Sequence, residues 1–584
     1  MASAVDMVTL DNFASKLPPW NPDLPNHLYA LVDVGSNGIR FSISDLSPPS
    51  SRLLKCLYRE RAAISLFDAL NEWPSTGPPA FSVDVIARVS RTIARFRSIA
   101  DDFSVPAEHI AVFATEAMRK ASNAVSMLSA IRSEAGLGVY VLAPEVETLF
   151  GAMGARSGFT TVNGLFLDLG GGSLQMTYMN SATKGYEVQA ARTGKSLPFG
   201  AARLINILEN ETGDVRTTTM DELYLGMQGA FARLQQEYPL LKDTELEPDD
   251  EGIDIYLCGG GFRGYGSILM HHEPVQPYPI PAIGAYTVSG TFFQQTATMR
   301  NANIEYEGKI FGMSKRRRRQ FPAIASVVEA LIVTVPRIRT VTFCSGGIRE
   351  GALALTLPEY IREAKPLFSL RYENNDWPLA LGAVTSMMES ALPSNIDFSN
   401  IPTVLTLGLG PLFASEVWAR SGEPSEANAS FQLHQSLERD PSLPGFTHLG
   451  RSVLALTLCF RWSAALGPID QQLFQQLQGI VRRASPEAIT WAEYIGKAAR
   501  LLSKLCPRAP KTQEDLEKAV KYSAKLVKGK NKTKLQLTVT LSDAVYRLAD
   551  HQEITNSFKD VSKPKDGTQQ PWNEVQVFVE MMQS

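Results

Sequence analysis

The sequence predicts an α/β fold of two related lobes followed by a mostly helical module, and three observations carry that prediction. Strand-like runs LYALVDV, IRFSISDL and LLKCLY, separated by Gly and Pro clusters, read as an antiparallel meander. Helical and strand periodicities alternate after it. The stretch GLFLDLGGGSLQMTYM (164–179) then repeats the logic of ALVDVGSNGIRFSI (30–43): apolar strand, Asp, Gly-rich turn, second apolar strand. Asp33 corresponds to Asp168 and Gly35 to Gly170. The expected lobes are residues 24–163 and 164–360, with an irregular, proline-rich tail over 1–23 and a mostly helical module over 375–584.

Within the first lobe, Val85, Val89, Ile93, Phe96, Ile99 and Phe103 recur every three or four residues, the mark of a helix with one buried face. IAVFA (110–114) reads as a short buried strand, 115–135 as one helix, Val139–Leu142 as a strand and 145–156 as a helix. The second half adds two strand-to-glycine junctions, IDIYLCGGG (253–261) and VTFCSGG (341–347). Beyond residue 375, LALGAVTSMMESAL, RSVLALTLCFRWS and AEYIGKAARLLSKL read as helices. KLVKGKNKTK (525–534) reads as a solvated loop and TKLQLTVTL as a late strand.

Composition narrows the function. A net charge of −3 argues against a dedicated nucleic-acid binder, which would carry a basic surface. The five cysteines are far apart, without metal-ligand spacing, and their odd number is a poor disulfide framework. A reducing compartment follows. Asp6 and Asp11 sit where a secretory leader would be basic. The longest apolar run, from Ile401, is short and holds Pro402 and Pro411, so no membrane span is expected. A cytoplasmic protein is the expectation.

The two Asp–Gly turns point to phosphate chemistry. Glycines without Cβ atoms let backbone N–H groups approach an anion closely. An Asp at the strand end is placed to hold Mg²⁺ or its waters beside the phosphate oxygens. Two such hairpins facing each other would clamp a phosphoanhydride from both sides. The candidate binding residues are therefore Asp33, Gly35, Ser36 and Asn37 in the first turn and Gly170, Gly171, Gly172 and Ser173 in the second. Gly259, Gly260 and Gly346 join them at the two later junctions, and Arg40, just after the first turn, is a further candidate. Arg119 and Asn123, four residues apart on the expected helix, would look into one site.

These segments resemble the exopolyphosphatase/guanosine pentaphosphatase family. DVGSNGIRFSI is similar to its first phosphate loop, and DLGGGS (168–173) to its second. ATEAMRKASN (114–123) matches the family's Ala-Thr-x-Ala-x-Arg-x-Ala-x-Asn motif throughout, and GMSKRRRRQFPAIA and SGGIREGAL resemble later segments. The resemblance spans roughly 28–360 and continues more weakly through SLPGFTHLGRSVLALTLCFRWS (442–463). It implies an actin-like (ribonuclease-H-like), two-lobed ATPase-type fold with a C-terminal helical domain resembling a degenerate His-Asp module.

By spacing to the second loop and to Gly154, the family's water-activating Glu is Glu147 in APEVETLFGAMG, and Val146 stands where the family has a neighbouring Glu. Without the resemblance, Glu145 and Glu147 would simply decorate a helix N-terminus. The candidate Mg²⁺ residues are Asp33, Asp168 and Gln175. The last departs from the family, which usually has Glu there, and its neutral amide weakens a divalent site. Only His434, His448 and His551 follow residue 375, and no His precedes an Asp, so a non-catalytic module is expected, read as a dimer or partner surface. Lys315–Arg319 is read as the basic start of a helix near the cleft rather than a nuclear import signal.

Within the family, the whole-chain pattern is most similar to a fungal branch that links mitochondrial state to nuclear transcription. This implies a regulator that binds polyphosphate or a nucleotide such as ATP or guanosine tetraphosphate, captures a cytoplasmic repressor of a transcription pathway and has weak or no turnover. An active exopolyphosphatase or pentaphosphatase, and an actin-like ATPase or sugar kinase, are the competing expectations.

Overall fold

The computed structural model describes residues 5–71, 77–242, 252–365, 380–423, 425–438, 444–529, 532–562 and 570–582. Both Asp–Gly repeats form β-hairpins, each at the heart of a six-stranded sheet. The first sheet holds β1 (Met7–Val8), β2 (Leu28–Gly35), β3 (Gly38–Asp45), β4 (Lys55–Ala62), β5 (Ile110–Ala114) and β6 (Val139–Leu142), ordered β1-β6-β5-β2-β3-β4. The second holds β7 (Asn163–Leu169), β8 (Leu174–Asn180), β9 (Lys195–Leu197), β10 (Ile253–Cys258), β11 (Tyr286–Ser289) and β12 (Ile338–Phe343), ordered β11-β12-β10-β7-β8-β9. In each, three antiparallel strands are followed by two parallel ones laid beside the first. The duplicated order is that of the actin-like, two-lobed fold.

The duplication extends to register. Asp33 pairs across its hairpin with Arg40, and Asp168 pairs with Gln175. The flanking pairs Val34–Ile39 and Leu169–Leu174 enclose turns of equal length.

Packing explains why the central strands read as continuous apolar runs: both faces of β2 are covered. One face meets the helix Val83–Asp102, whose Phe96 stacks on Phe41 at 4.7 Å. The other meets the helix Pro144–Arg156 through Phe113, Phe150 and Met153. Each such buried side chain is worth about 1.5–3 kcal/mol. That helix lies backbone to backbone on Ile348–Thr356. A Cβ on Gly351 would stand 1.8 Å from the Phe150 carbonyl oxygen, and one on Gly154 2.0 Å from that of Gly347.

Three expectations are corrected. The segment 1–23 is not irregular throughout, because Met7–Val8 adds a parallel strand beside β6. The stretch 115–135 is two helices, Glu116–Lys120 and Ala124–Ala135. The break arises because Ala121 turns extended and the Asn123 amide is drawn to the backbone of Phe81, accepting from its N–H at 2.9 Å and donating to its carbonyl at 2.8 Å. Residues 525–534 are not a loop overall. They complete β13 (Val520–Lys528) and open β14 (Thr533–Leu541), which pair antiparallel, with β15 (Glu574–Met581) parallel to β14.

By contacts the chain divides into two units. The first comprises 1–272, 282–366 and 442–445 and holds both lobes. The second comprises 273–281, 367–441 and 446–584 and holds the three-stranded sheet. Its helices Leu381–Ser390, His448–Arg461 and Ala488–Leu505 lie in the segments read as helical. Its core centres on Trp491, Tyr494 and Trp572, with the two indoles 4.7 Å apart edge to face. Among the described residues, no helix is long and apolar enough to cross a membrane.

Candidate active site

Between the two lobes of the first unit lies a cleft of about 690 Å³ lined by both Gly-rich turns. The hairpins put them there: equal turns project from the same end of equivalent strands. Asp33, Gly35, Ser36, Asn37 and Arg40 line the cleft from one lobe, and Asp168, Gly170, Gly171, Gly172, Ser173, Gln175 and Gly260 from the other. The turns touch directly, since a Cβ on Gly171 would stand 2.7 Å from the Asn37 amide. Glycine at 171 is thus demanded by the protein's own packing, before any ligand is considered.

Asp33 is buried, with Oδ2 accepting from Arg40 Nη1 at 3.0 Å and Oδ1 left without a hydrogen-bond partner. Burial pushes the Asp168 carboxyl above its ordinary range, while the Arg263 and Arg40 charges pull it back. Gln175 is buried and donates through Nε2 to the hydroxyls of Ser173 at 2.8 Å and Ser196 at 3.3 Å. Among the described residues, no group of three or more His, Cys, Asp or Glu is gathered as a metal site.

Glu147 lines the cleft from the first turn of its helix. Burial raises its carboxyl from the usual 4.5 to about 7, opposed by the charge and hydrogen bond of Arg119. A carboxyl near neutrality suits proton transfer. Arg119 does not line the cleft. Its Nη2 donates to Glu147 Oε2 at 2.8 Å and its Nη1 to the Leu142 carbonyl, so it fixes the carboxylate in place.

The other candidates fall outside the cleft lining. Asn123 stands at the break between the helices and its amide holds Phe81 rather than capping the second helix, so it does not share a helix face with Arg119. Gly346 packs on the Pro144–Arg156 helix, where a Cβ would stand 1.8 Å from the Gly154 carbonyl oxygen. Gly259 has φ +85°, and a Cβ there would stand 2.3 Å from Asp168 Oδ1, so it supports the site from behind. In the second unit the histidines are dispersed: His434 meets Asp470 at 2.7 Å, His448 meets Tyr278 at 2.8 Å and His551 meets the Tyr546 carbonyl at 2.8 Å.

Sequence reasoning missed most of the cleft's positive charge. Besides Arg40, the guanidinium groups of Arg59, Arg61, Arg263, Arg316, Arg317 and Arg349 line it. Burial, together with Arg263, Arg61 and Arg40, pushes Arg317 down to about 10. Burial and neighbouring arginines also lower Arg263 and Arg61. Arg349 is buried and its Nη1 has no partner. These cations come from four separate segments. The signal was present in KRRRR and SGGIREG, but only the fold brings the segments together.

A sequence model of the Ppx/GppA phosphatase family matches residues 45–359, and one of the RTG2 C-terminal domain matches 377–581. The first Gly-rich turn precedes the matched range, so its equivalence to the second rests on the duplicated register. Retrograde regulation protein 2 of Saccharomyces cerevisiae is 30% identical over 484 residues, covering 80% of this chain and 79% of that protein. Exopolyphosphatase 1 of Mycobacterium leprae is 27% identical over 332 residues, covering 55% of this chain and 87% of that protein. Among solved structures, an exopolyphosphatase from Cytophaga hutchinsonii aligns at 20% identity and a TM-score of 0.43, over 58% of this chain and 99% of its own.

Proposed function

This chain belongs to the Ppx/GppA phosphatase family, and from that premise we propose that its cleft binds a phosphoanhydride polyanion with weak or no hydrolysis, as the input of a regulator of mitochondria-to-nucleus signalling. The observation that carries the binding is the gathering of seven arginines around two apposed Gly-rich turns. Burial and then neighbouring like charges depress these arginines, and a polyanion relieves the repulsion while taking charge-assisted hydrogen bonds. Polyphosphate, ATP and guanosine tetraphosphate share the required chemistry. The regulatory role is carried over from the yeast relative's name. Our proposal adds a cytoplasmic location and capture of a repressor protein, with the second unit as a partner or dimer surface.

Mg²⁺ fits the residues in part. The unpartnered Asp33 Oδ1 and the Asp168 carboxyl are hard oxygen donors of the kind it takes beside phosphate. When bound, the ion would neutralise charge on the transferring phosphoryl group. Gln175 brings no charge to help hold it. The protein's own groups do the rest: the turns present N–H groups, Glu147 accepts a proton from water, and Arg119 orients Glu147.

Calorimetry with inorganic tripolyphosphate tests the reading, with phosphate release followed on the same sample. Saturable binding with little release is expected; no binding would remove the proposal. Active hydrolysis is the second reading, favoured by the position of Glu147 on the cleft and its carboxyl near pH 7. Phosphate release at ordinary hydrolase rates, lost in Glu147→Gln, would establish it instead.

A further inference from the structure

Arg316 spans the two lobes. It sits at the start of the second-lobe helix Lys315–Thr334, yet its Nη2 donates to three first-lobe oxygens: Asn37 Oδ1 at 2.7 Å, Ser65 Oγ at 2.9 Å and Asp68 Oδ2 at 3.1 Å. Asn37 is the tip of the first Gly-rich turn and rests on Gly171 of the second. Ser65 in turn donates to the Ser36 carbonyl at 3.3 Å. One nitrogen therefore fastens the turn, the lobe edge and the helix together at the cleft. Arg316 lines that cleft and Asp68 does not. Among the described residues, Arg316 Nε and Nη1 make no hydrogen bond.

We infer that Arg316 is a competitive latch, held by Asp68 until a phosphate in the cleft takes it. The inference rests on the phosphoanhydride reading of the site. A guanidinium binds phosphate best through two parallel N–H bonds, and the two N–H bonds of Nη2 are shared among Asn37, Ser65 and Asp68, of which Asp68 is the charged acceptor. The competition is close enough to matter. The pair is partly solvated, with side chains 35% and 44% exposed, and such a pair is worth no more than a factor of about 5 in equilibrium. A phosphate with formal charge on several oxygens outbids it. Binding then transfers Arg316 from a lobe-to-lobe contact to the ligand, so occupancy of the site alters the contact that joins the lobes. The sequence marks the feature as unusual, since Arg316 is one of five consecutive basic residues and only Arg316 and Arg317 of them line the cleft.

Calorimetry of the full-length protein with inorganic tripolyphosphate tests this. Asp68→Asn removes the competing charge and is expected to bind about three- to fivefold tighter than wild type. Asp68→Ala is expected to do the same. Arg316→Ala is expected to bind at least tenfold weaker, and Asp68→Asn added to it should give no gain. Melting curves verify that each variant is folded. Wild-type binding with unchanged or weaker affinity in Asp68→Asn overturns the latch and leaves the binding reading intact. No binding by wild type overturns both.

Discussion

The two Gly-rich hairpins share strand order, register and turn length, yet they carry opposite electrostatic solutions at one position. In the first, Asp33 faces Arg40 and forms an ion pair at 3.0 Å. In the second, Asp168 faces Gln175, whose amide is spent on two serine hydroxyls. The first hairpin is neutral within itself. The second leaves a buried carboxyl whose balance depends on Arg263 and Arg40 from elsewhere. A duplicated backbone thus fixes where groups stand and leaves their charge free to diverge. The difference matters for chemistry, because a single carboxylate in the second hairpin holds a divalent cation less firmly than two.

Breaking the contact between hairpins should have the largest effect. Gly171→Val would drive a side chain into the Asn37 amide and part the two turns. Tripolyphosphate affinity is expected to fall at least a hundredfold by calorimetry, with only a modest drop in melting temperature because the clash falls on the movable end of the Asn37 side chain. Retained affinity in a folded variant would place the ligand elsewhere.

Making the first hairpin resemble the second comes next. Arg40→Gln deletes a cleft cation and leaves the buried Asp33 carboxylate unpaired. Affinity is expected to drop about tenfold, the range of a charge-assisted hydrogen bond. The same titration should become less sensitive to salt.

The converse change adds charge to the second hairpin. Gln175→Glu sets a second buried carboxylate across from Asp168. Without divalent ions the variant is expected to melt several degrees lower, since two buried like charges repel. Mg²⁺ should restore the loss and raise phosphate release several-fold. A variant whose melting ignores Mg²⁺ would show that the hairpin does not hold the ion.

The smallest effect on binding is expected at Asn123, despite its place in a recognisable motif. Asn123→Ala removes both hydrogen bonds to Phe81. Stability should fall by about 1–2 kcal/mol in denaturant titration, with tripolyphosphate affinity unchanged. Weakened binding in a stable variant would return Asn123 to the site.

Legibility followed the range of the forces. The hairpins were readable because apolar runs, an Asp and consecutive glycines are all local signals. Glu147 was placed through resemblance, and its neutral-range carboxyl became visible only with burial and Arg119 beside it. Asn123 was misplaced because its partner, Phe81, is 42 residues away. Arg59, Arg61, Arg263 and Arg349 were overlooked for the same reason, as each alone reads as a solvated charge, whereas Arg40 and the basic start of the Lys315–Thr334 helix were placed near the cleft. β13 was not read: its Lys- and Gly-rich end suggested a loop, although Val520, Tyr522 and Leu526 fall on one face of the strand. Gly346 and Gly259 read as phosphate glycines, while the structure uses them for helix packing and a left-handed turn.

The central claim is a cleft that binds a phosphoanhydride and scarcely turns it over. It is tested most directly by measuring tripolyphosphate binding and phosphate release together, in wild type and Glu147→Gln, below and above pH 7. Because the folded carboxyl is raised to about 7, Glu147 becomes an ionised base only as pH rises through that value. The stability linked to its protonation is present below the usual 4.5 and is lost as pH rises through about 7, so Glu147→Gln should gain on wild type in melting temperature over that window. The account predicts saturable binding in both proteins and release near the background throughout. Release at hydrolase rates that climbs through pH 7 in wild type and vanishes in Glu147→Gln would contradict it.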